Sequence, residues 1–207
     1  MLYTLVIYGS INLTAKYLFL SQQTFNYSST LWSNKETFNL DGGKTGFDSQ
    51  ETKLPSYWNT SFSKICLGMK IGQQIKFIVI NKQANSLYSL IADGKHRSTS
   101  LGRDTWKSLI GSNASLQNNC NKEGFNAYSS QWQKSKARIG IISNNGDDCG
   151  PVTLELGLVL EDILIKPTLV ETKLLILQTM VINILRPWDI FWCSERKLIW
   201  VNLLLLP

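Results

Sequence analysis

The stretch Ile75-Lys-Phe-Ile-Val-Ile80 is β-branched or aromatic at all but one position, and it decides the fold class. Apolar residues fall on both of its faces, which predicts a central strand of a sheet. Working outward, Leu87–Ala92 and Arg138–Ile142 read as two more strands. Between them Asp104-Thr-Trp-Lys-Ser-Leu-Ile-Gly111 predicts a short helix. Asp104 is its expected N-cap, Trp106, Leu109 and Ile110 share a face at i, i+3 and i+4, and Gly111 ends it. Upstream, residues 22–62 read as loops and short strands. There Asp41-Gly42-Gly43 is expected to turn through glycine's positive φ, and aromatics recur at Phe25, Tyr27, Trp32, Phe38, Phe47, Tyr57 and Trp58. The predicted class is α+β, β-rich, with short helices and long loops held together by aromatics and cross-links.

Composition divides the 207 residues unevenly. Residues 1–150 hold 16 Lys/Arg against 9 Asp/Glu and 13 of the 14 glycines. Residues 151–207 hold 5 against 6, one glycine, and 27 Leu, Ile or Val in 57 positions. A single fold seldom changes composition so abruptly. The expected organisation is an unassigned segment 1–22, a domain over 23–150, and a tail over 151–207. The basic residues are scattered singly with no run of three, whereas binding along a phosphate backbone needs a clustered stripe, so no nucleic-acid partner is expected. The longest uncharged stretch of the tail, Leu174–Leu185, is too short for the ~20 residues of a membrane span.

Catalytic chemistry finds little to use. A Ser-His-Asp or Cys-His site would have to employ His96, the sole histidine, and its neighbours Lys95 and Arg97 suggest an exposed ring of lowered proton affinity. Asp93, Asp104 and Glu123 fall in no arrangement recognisable as a hydrolase carboxylate pair. Gly42-Gly-Lys-Thr45 lacks the upstream glycine of a phosphate-binding loop, since Phe38 stands there. The chain therefore reads as non-enzymatic, with a secreted hydrolase as the alternative. Asn144-Asn-Gly-Asp-Asp148 offers carboxylate, amide and backbone oxygens on one turn, so Asn145, Asp147 and Asp148 are candidate calcium ligands, the one cofactor considered. Cys66, Cys120 and Cys149 are widely spaced without metal-ligand spacing and are disulfide candidates. Sequons at Asn12, Asn26, Asn59 and Asn113 point to a secreted glycoprotein, with Asn26, Asn59 and Asn113 inside the expected domain. The first 15 residues have no basic n-region to mark a signal peptide.

Six words occur in order: Glu51-Thr-Lys-Leu-Pro-Ser-Tyr-Trp-Asn-Thr60, Ile65-Cys-Leu-Gly-Met69, Ser86-Leu-Tyr-Ser-Leu-Ile-Ala-Asp-Gly94, Gly102-Arg-Asp-Thr-Trp-Lys-Ser-Leu-Ile110, Cys120-Asn-Lys-Glu-Gly-Phe-Asn126 and Lys136-Ala-Arg-Ile-Gly-Ile-Ile142. Together they resemble the cnidarian secreted domain family of coral uncharacterized skeletal organic matrix protein 5, over Thr24–Cys149. The resemblance implies a secreted, cysteine-containing matrix or adhesion domain with no catalytic residues to carry over. Its fainter likeness to fibrinogen-like and intelectin-type lectin domains is an analogy of fold. Expected partners are extracellular matrix or cell-surface glycans and proteins. Because the domain is basic and poor in carboxylates, recognition is expected over mineral nucleation.

After Cys149 the family continues through glycine-rich words, whereas this chain runs Pro151-Val-Thr-Leu-Glu-Leu160 and stays leucine-rich. Regrouping codons, so that each takes the third base of one residue and two bases of the next, restores family-like words. Met and Trp have single codons, so three regrouped positions are forced. Val181 must become glycine, Asp189 glycine and Cys193 valine, as the family pattern requires, and a stop falls at Glu195. The tail thus reads as frameshifted, which adds a third possibility, a non-functional product. As written, the tail is expected not to fold natively, leaving at least one of Cys66, Cys120 and Cys149 without a mate.

Overall fold

Phe62–Ile71 (β3) and Gln74–Ala84 (β4) form a long antiparallel hairpin in which Ile71 faces Gln74 and Cys66 faces Val79. The computed structural model describes residues 12–18, 24–44, 50–71, 73–111, 116, 118–129, 136–144, 149, 154–160 and 178–185. Earlier in the chain come strands β1 (Asn12–Leu18) and β2 (Thr52–Lys53) and the one-turn helix α1 (Ser56–Asn59). After β4 follow helix α2 (Leu87–Ile91), strand β5 (Arg97–Ser98) and helix α3 (Arg103–Ile110). Strands β6 (Asn119–Tyr128), β7 (Lys136–Asn144), β8 (Leu154–Leu160) and β9 (Gln178–Leu185) complete the described elements. They build two antiparallel sheets, ordered β2-β1-β9-β3-β4 and β5-β6-β7-β8. The α+β class of short helices with antiparallel strands is therefore what the chain adopts.

Several local expectations are corrected. β4 lies at the edge of its sheet, pairing among the described residues only with β3. Its Ile78 and Ile80 are buried while Ile75, Phe77 and Val79 are half-buried, the alternation of a one-sided strand whose outer face is partly covered. Its neighbour β3 is buried continuously from Ile65 to Met69 between β9 and β4, as β7 is from Ala137 to Ser143 in the second sheet.

The Leu87–Ala92 strand is instead helix α2. Ser86 and Ser89 form a reciprocal capping box, and Leu87, Leu90 and Ile91 bury one face at helical spacing. The expected helix at residues 104–111 exists as α3, but Asp104 does not cap it. Its N-cap is Gly102 at φ 80°, which has no side chain to offer. Gly111, at φ 95°, ends the helix as expected by donating to the Lys107 carbonyl at 2.8 Å.

Residues Leu40–Lys44 form a 3-10 turn in which neither Gly42 nor Gly43 is left-handed. Those glycines answer a need for space. A Cβ at Gly42 would sit 2.6 Å from the Asn39 amide nitrogen, and one at Gly43 would sit 2.8 Å from Leu54.

The tail also departs from expectation, because two of its stretches pair. β8 lies against β7, with Ile139 facing Leu158, and β9 runs between β1 and β3, with Ile65 facing Ile184. The cause is physical. Without them β3 and β7 would each present a row of unpaired N–H and C=O groups, and apolar stretches of strand-forming residues satisfy those groups.

One apolar core joins the two sheets and the helices. Trp32, Tyr57, Ile65, Leu67, Met69, Ile78, Leu87, Ile91, Trp106, Leu109, Phe125 and Ile139 all belong to it. Edge-to-face rings extend it, with Phe25 set against Trp32 and Phe38, and Tyr57 against Trp32 and Tyr88. Among the described residues no helix is long and apolar enough to cross a membrane.

Candidate functional site

The β6–β7 pair places a basic and aromatic cluster at one end of the second sheet. Tyr128 faces Lys136 across the ladder, and Arg138 follows two residues on, on the same side of β7. With Tyr27 and Gly94 these residues line a cleft of about 260 Å³. In a regular strand Lys122 and Tyr128 would stand about 20 Å apart. Here Gly124 (φ 126°) and Asn126 (φ 49°) interrupt the extended backbone between them, and the Lys122 ammonium lies 4.2 Å from the Tyr128 ring centroid. On the opposite wall the Lys136 ammonium is 5.3 Å from the Tyr27 ring and the Arg138 guanidinium 4.1 Å. Such distances allow cations to be held against ring faces. Partial burial lowers the proton affinity of Lys122.

Arg138 is also structural. Its Nε donates to the Tyr27 carbonyl at 3.0 Å, and one terminal nitrogen donates to the Asn126 amide oxygen at 2.8 Å. Asn126, wholly buried, donates in turn to the carbonyls of Ile91 and Lys95. Arg97 donates to the Leu90 carbonyl and grips Asp93 through both terminal nitrogens. The open carbonyl end of α2 is thereby capped by an amide and a guanidinium.

Glu123 was missed by sequence reasoning, which found no arrangement for it. It is a hub instead. Its carboxylate accepts from Thr99 Oγ1 (2.6 Å), Trp106 Nε1 (2.7 Å), Leu101 N (3.0 Å) and Gly102 N (2.9 Å). The last two are backbone donors at the start of α3, so a carboxylate on β6 does the capping that Asp104 does not. Burial pushes this carboxyl up, and the hydrogen bonds from Thr99, Trp106, Gly102 and Leu101 outweigh it, leaving it below its ordinary value. The signal available in the sequence was only an acid within a strand whose neighbours are Gly124 and Phe125.

His96 is half-buried, which corrects its expected exposure, and its Nε2 donates to the Glu123 carbonyl at 3.1 Å. Burial lowers its proton affinity, the direction expected, although the expected cause was neighbouring charge. Lys44 of the glycine-lysine turn pairs with Asp41 in solvent.

Cys120 and Cys149 form a disulfide, and Cys66 is disulfide-bonded as well. The expectation of an unmated cysteine among these three is thus corrected: none of the described cysteines is free. Asn59 is exposed and Asn26 half-buried; Asn113 lies outside the described residues. The candidate calcium ligands Asn145, Asp147 and Asp148 also lie outside them. Among the described residues, no group of three His, Cys, Asp or Glu side chains is disposed to hold a metal ion. No family model, curated protein or solved structure matches this chain.

Proposed function

We propose that this chain is a non-enzymatic extracellular recognition domain of the skeletal-matrix type, whose cleft between Tyr27 and Tyr128 takes a saccharide of the matrix or cell surface. The observation that carries the reading is the cleft itself, where aromatic rings and basic side chains converge beside two strands tied by hydrogen bonds. Secretion, glycans at Asn26, Asn59 and Asn113, and calcium at Asn145, Asp147 and Asp148 belong to the same reading, as does the lectin-type analogy. His96 argues against the hydrolase alternative, because its Nε2 is committed to a backbone carbonyl. Binding of the full chain to a glycan array, with and without calcium, tests the proposal. Selective binding lost on substitution of Tyr128 supports it, and a silent array in both conditions rejects it.

A second reading is favoured by one specific observation: the codons after Met180, Trp188 and Trp192 force family-matching residues in the shifted frame. On that reading the working sequence diverges from the written one after Gly150, while the cleft, built from residues 27–138, is shared by both.

A further inference from the structure

We propose that Lys53 and Asn34 join in an intramolecular isopeptide bond, with Glu36 assisting, so that the domain cross-links strand β2 to the loop before it. The bond needs nothing from the cleft. Backbone pairing brings the two residues together first. Lys53 N donates to the Phe38 carbonyl at 2.9 Å and Phe38 N to the Lys53 carbonyl at 3.0 Å, which fixes β2 beside the chain four residues past Asn34. The loop is also tied by phenols, since Tyr57 Oη donates to the Trp32 carbonyl at 2.8 Å and Tyr88 Oη to the Ser33 carbonyl at 3.4 Å. Into this frame Lys53 extends a wholly buried side chain whose Nζ lies 2.6 Å from Asn34 Oδ1. One carbonyl bond of about 1.23 Å separates that oxygen from Cγ, so nucleophile and target carbon are less than about 4 Å apart.

Each polar atom of the Asn34 amide has the partner that the reaction requires. Glu36 N donates to Oδ1 at 3.2 Å, where negative charge develops under attack, and Asn34 Nδ2, the leaving nitrogen, donates to Glu36 Oε2 at 2.8 Å. The Leu31 and Asn34 carbonyls accept the other Lys53 protons. A neutral amine carries two protons, so it keeps both of those bonds and turns its lone pair on Asn34. Burial supplies that amine by pushing the ammonium down to about 8, and the rings of Tyr57 and Trp58 lie 5.2 and 5.7 Å from it. Of the titratable groups beside it, Tyr57 stays protonated, its phenol pushed up by burial, while the Glu36 carboxylate favours the charged lysine.

The Lys53 ammonium first gives one proton to solvent. Its nitrogen then bonds to Asn34 Cγ, a proton passes from that nitrogen through the Glu36 carboxylate to Nδ2, and the Cγ–Nδ2 bond breaks to release ammonia. An amine and a carboxamide become an amide and ammonia, so atoms and charge balance without a co-reactant. Asn34 is half-buried and Glu36 exposed, which leaves the ammonia a way out.

The test incubates freshly purified full chain at pH 6, 7 and 9 and follows it by intact mass and tryptic peptide mapping. The expected product is lighter by one ammonia, about 17 Da, resists trypsin after Lys53, and yields a peptide that joins Asn34 to Lys53. Formation should be about tenfold faster at pH 7 than at pH 6 and should level off above pH ~8. Glu36→Gln, at an exposed position, should leave the melt unchanged and slow the bond at least about tenfold. Asn34→Ala, and wild type kept unfolded in guanidinium, should not link. The linked form should melt roughly 5–10 °C above the unlinked one, because the bond closes a loop of sequence separation 19.

An unchanged mass in a chain that stays folded overturns the proposal. So does a loss of ammonia that maps to a succinimide at Asn34 with Lys53 still open to trypsin. A bond that forms equally fast in Glu36→Gln, or equally fast at pH 6 and 9, overturns assisted attack by the neutral amine.

Discussion

Trp106 Nε1 donates to Glu123 Oε2 at 2.7 Å, so the largest buried side chain of α3 and the carboxylate that caps the helix are joined. The pair links the amphipathic packing of α3 to strand β6. Replacing Glu123 by Gln leaves the shape but removes the charge that four donors converge on, so two or more contacts weaken together. The expected cost is about 1.5–3 kcal/mol in urea unfolding, the range for hydrogen bonds to a charged group. The pH dependence follows from the sign of the shift. The folded-state carboxyl ionises more readily than the unfolded one, so its stabilisation is complete above the unfolded value near ~4.3 and is lost as pH falls through the folded value. The stability gap between wild type and Glu123→Gln should therefore narrow steadily below pH ~4. A gap independent of pH would show that the charge is not what holds the helix.

Lys53 supplies the opposite case, a buried cation among neutral oxygens. Its ammonium donates to the carbonyls of Leu31 and Asn34 and to the Asn34 amide oxygen, and it lies 5.2 Å from the Tyr57 ring. Three acceptors match the three protons of the charged form. Burial nevertheless pushes this ammonium down to about 8, with Glu36 acting in the other direction. The unfolded lysine titrates near ~10.4, so the unfolded chain binds more protons between the two values, and stability rises with pH across that window. Lys53→Met removes the rise and leaves three oxygens without their donor, which lowers stability at pH 7 by about 1–3 kcal/mol. Chemical unfolding of both proteins from pH 7 to 10 measures the slope; parallel curves would refute the assignment.

What the sequence made legible follows local chemistry. β4, β7 and α3 were readable because strand-forming runs and a helical apolar face act over a few residues. α2 was misread because Leu87–Ala92 is apolar enough for either element, and the deciding signal was a pair of small hydroxyls, Ser86 and Ser89. The edge position of β4 was hidden for a different reason. Strand order depends on partners more than a hundred residues away, and no feature of Ile75–Ile80 names β9 as the strand beside β3. The cleft was illegible for the same cause, since Tyr27 and Arg138 meet across 111 positions. Of its residues, Tyr27 stood out as one of several recurring aromatics and Arg138 as the start of a strand, while nothing in the sequence singled out Tyr128.

The Cys120–Cys149 disulfide closes a loop with a sequence separation of 29 around the β6–β7 pair. Restricting the unfolded chain by a loop of that length contributes about 3–4 kcal/mol in the chain-entropy picture. Both cysteines are left-handed, at φ 52° and 50°, a conformation that costs a side-chain-bearing residue energy and that the cross-link holds in place. Relaxation of that strain offsets part of the loss, so the paired serine variant should lose about 2–3 kcal/mol. Because Tyr128, Lys136 and Arg138 of the cleft stand on these two strands, the same variant should also weaken whatever saccharide the wild type binds. Unfolding and binding assays on the two proteins read both effects.

The shifted-frame reading makes the last prediction. β3 and β7 need neighbours for their backbone groups, and in the written chain they receive β9 and the leucine-rich β8. Pairing satisfies the ladder, but 27 of the 57 residues from 151 to 207 are Leu, Ile or Val and only one is glycine, a composition prone to self-association. A chain that carries the regrouped codons from Val152 replaces those runs with glycine-rich words of the family pattern. That chain should stay monomeric at concentrations where the written one associates, and should melt at a higher temperature with a sharper transition. Light scattering and thermal melts compare them, and transcript sequencing across Gly150–Pro151 shows which frame is used. An intact written frame together with a sharp, monomeric melt of the 207-residue chain would eliminate the frameshift reading.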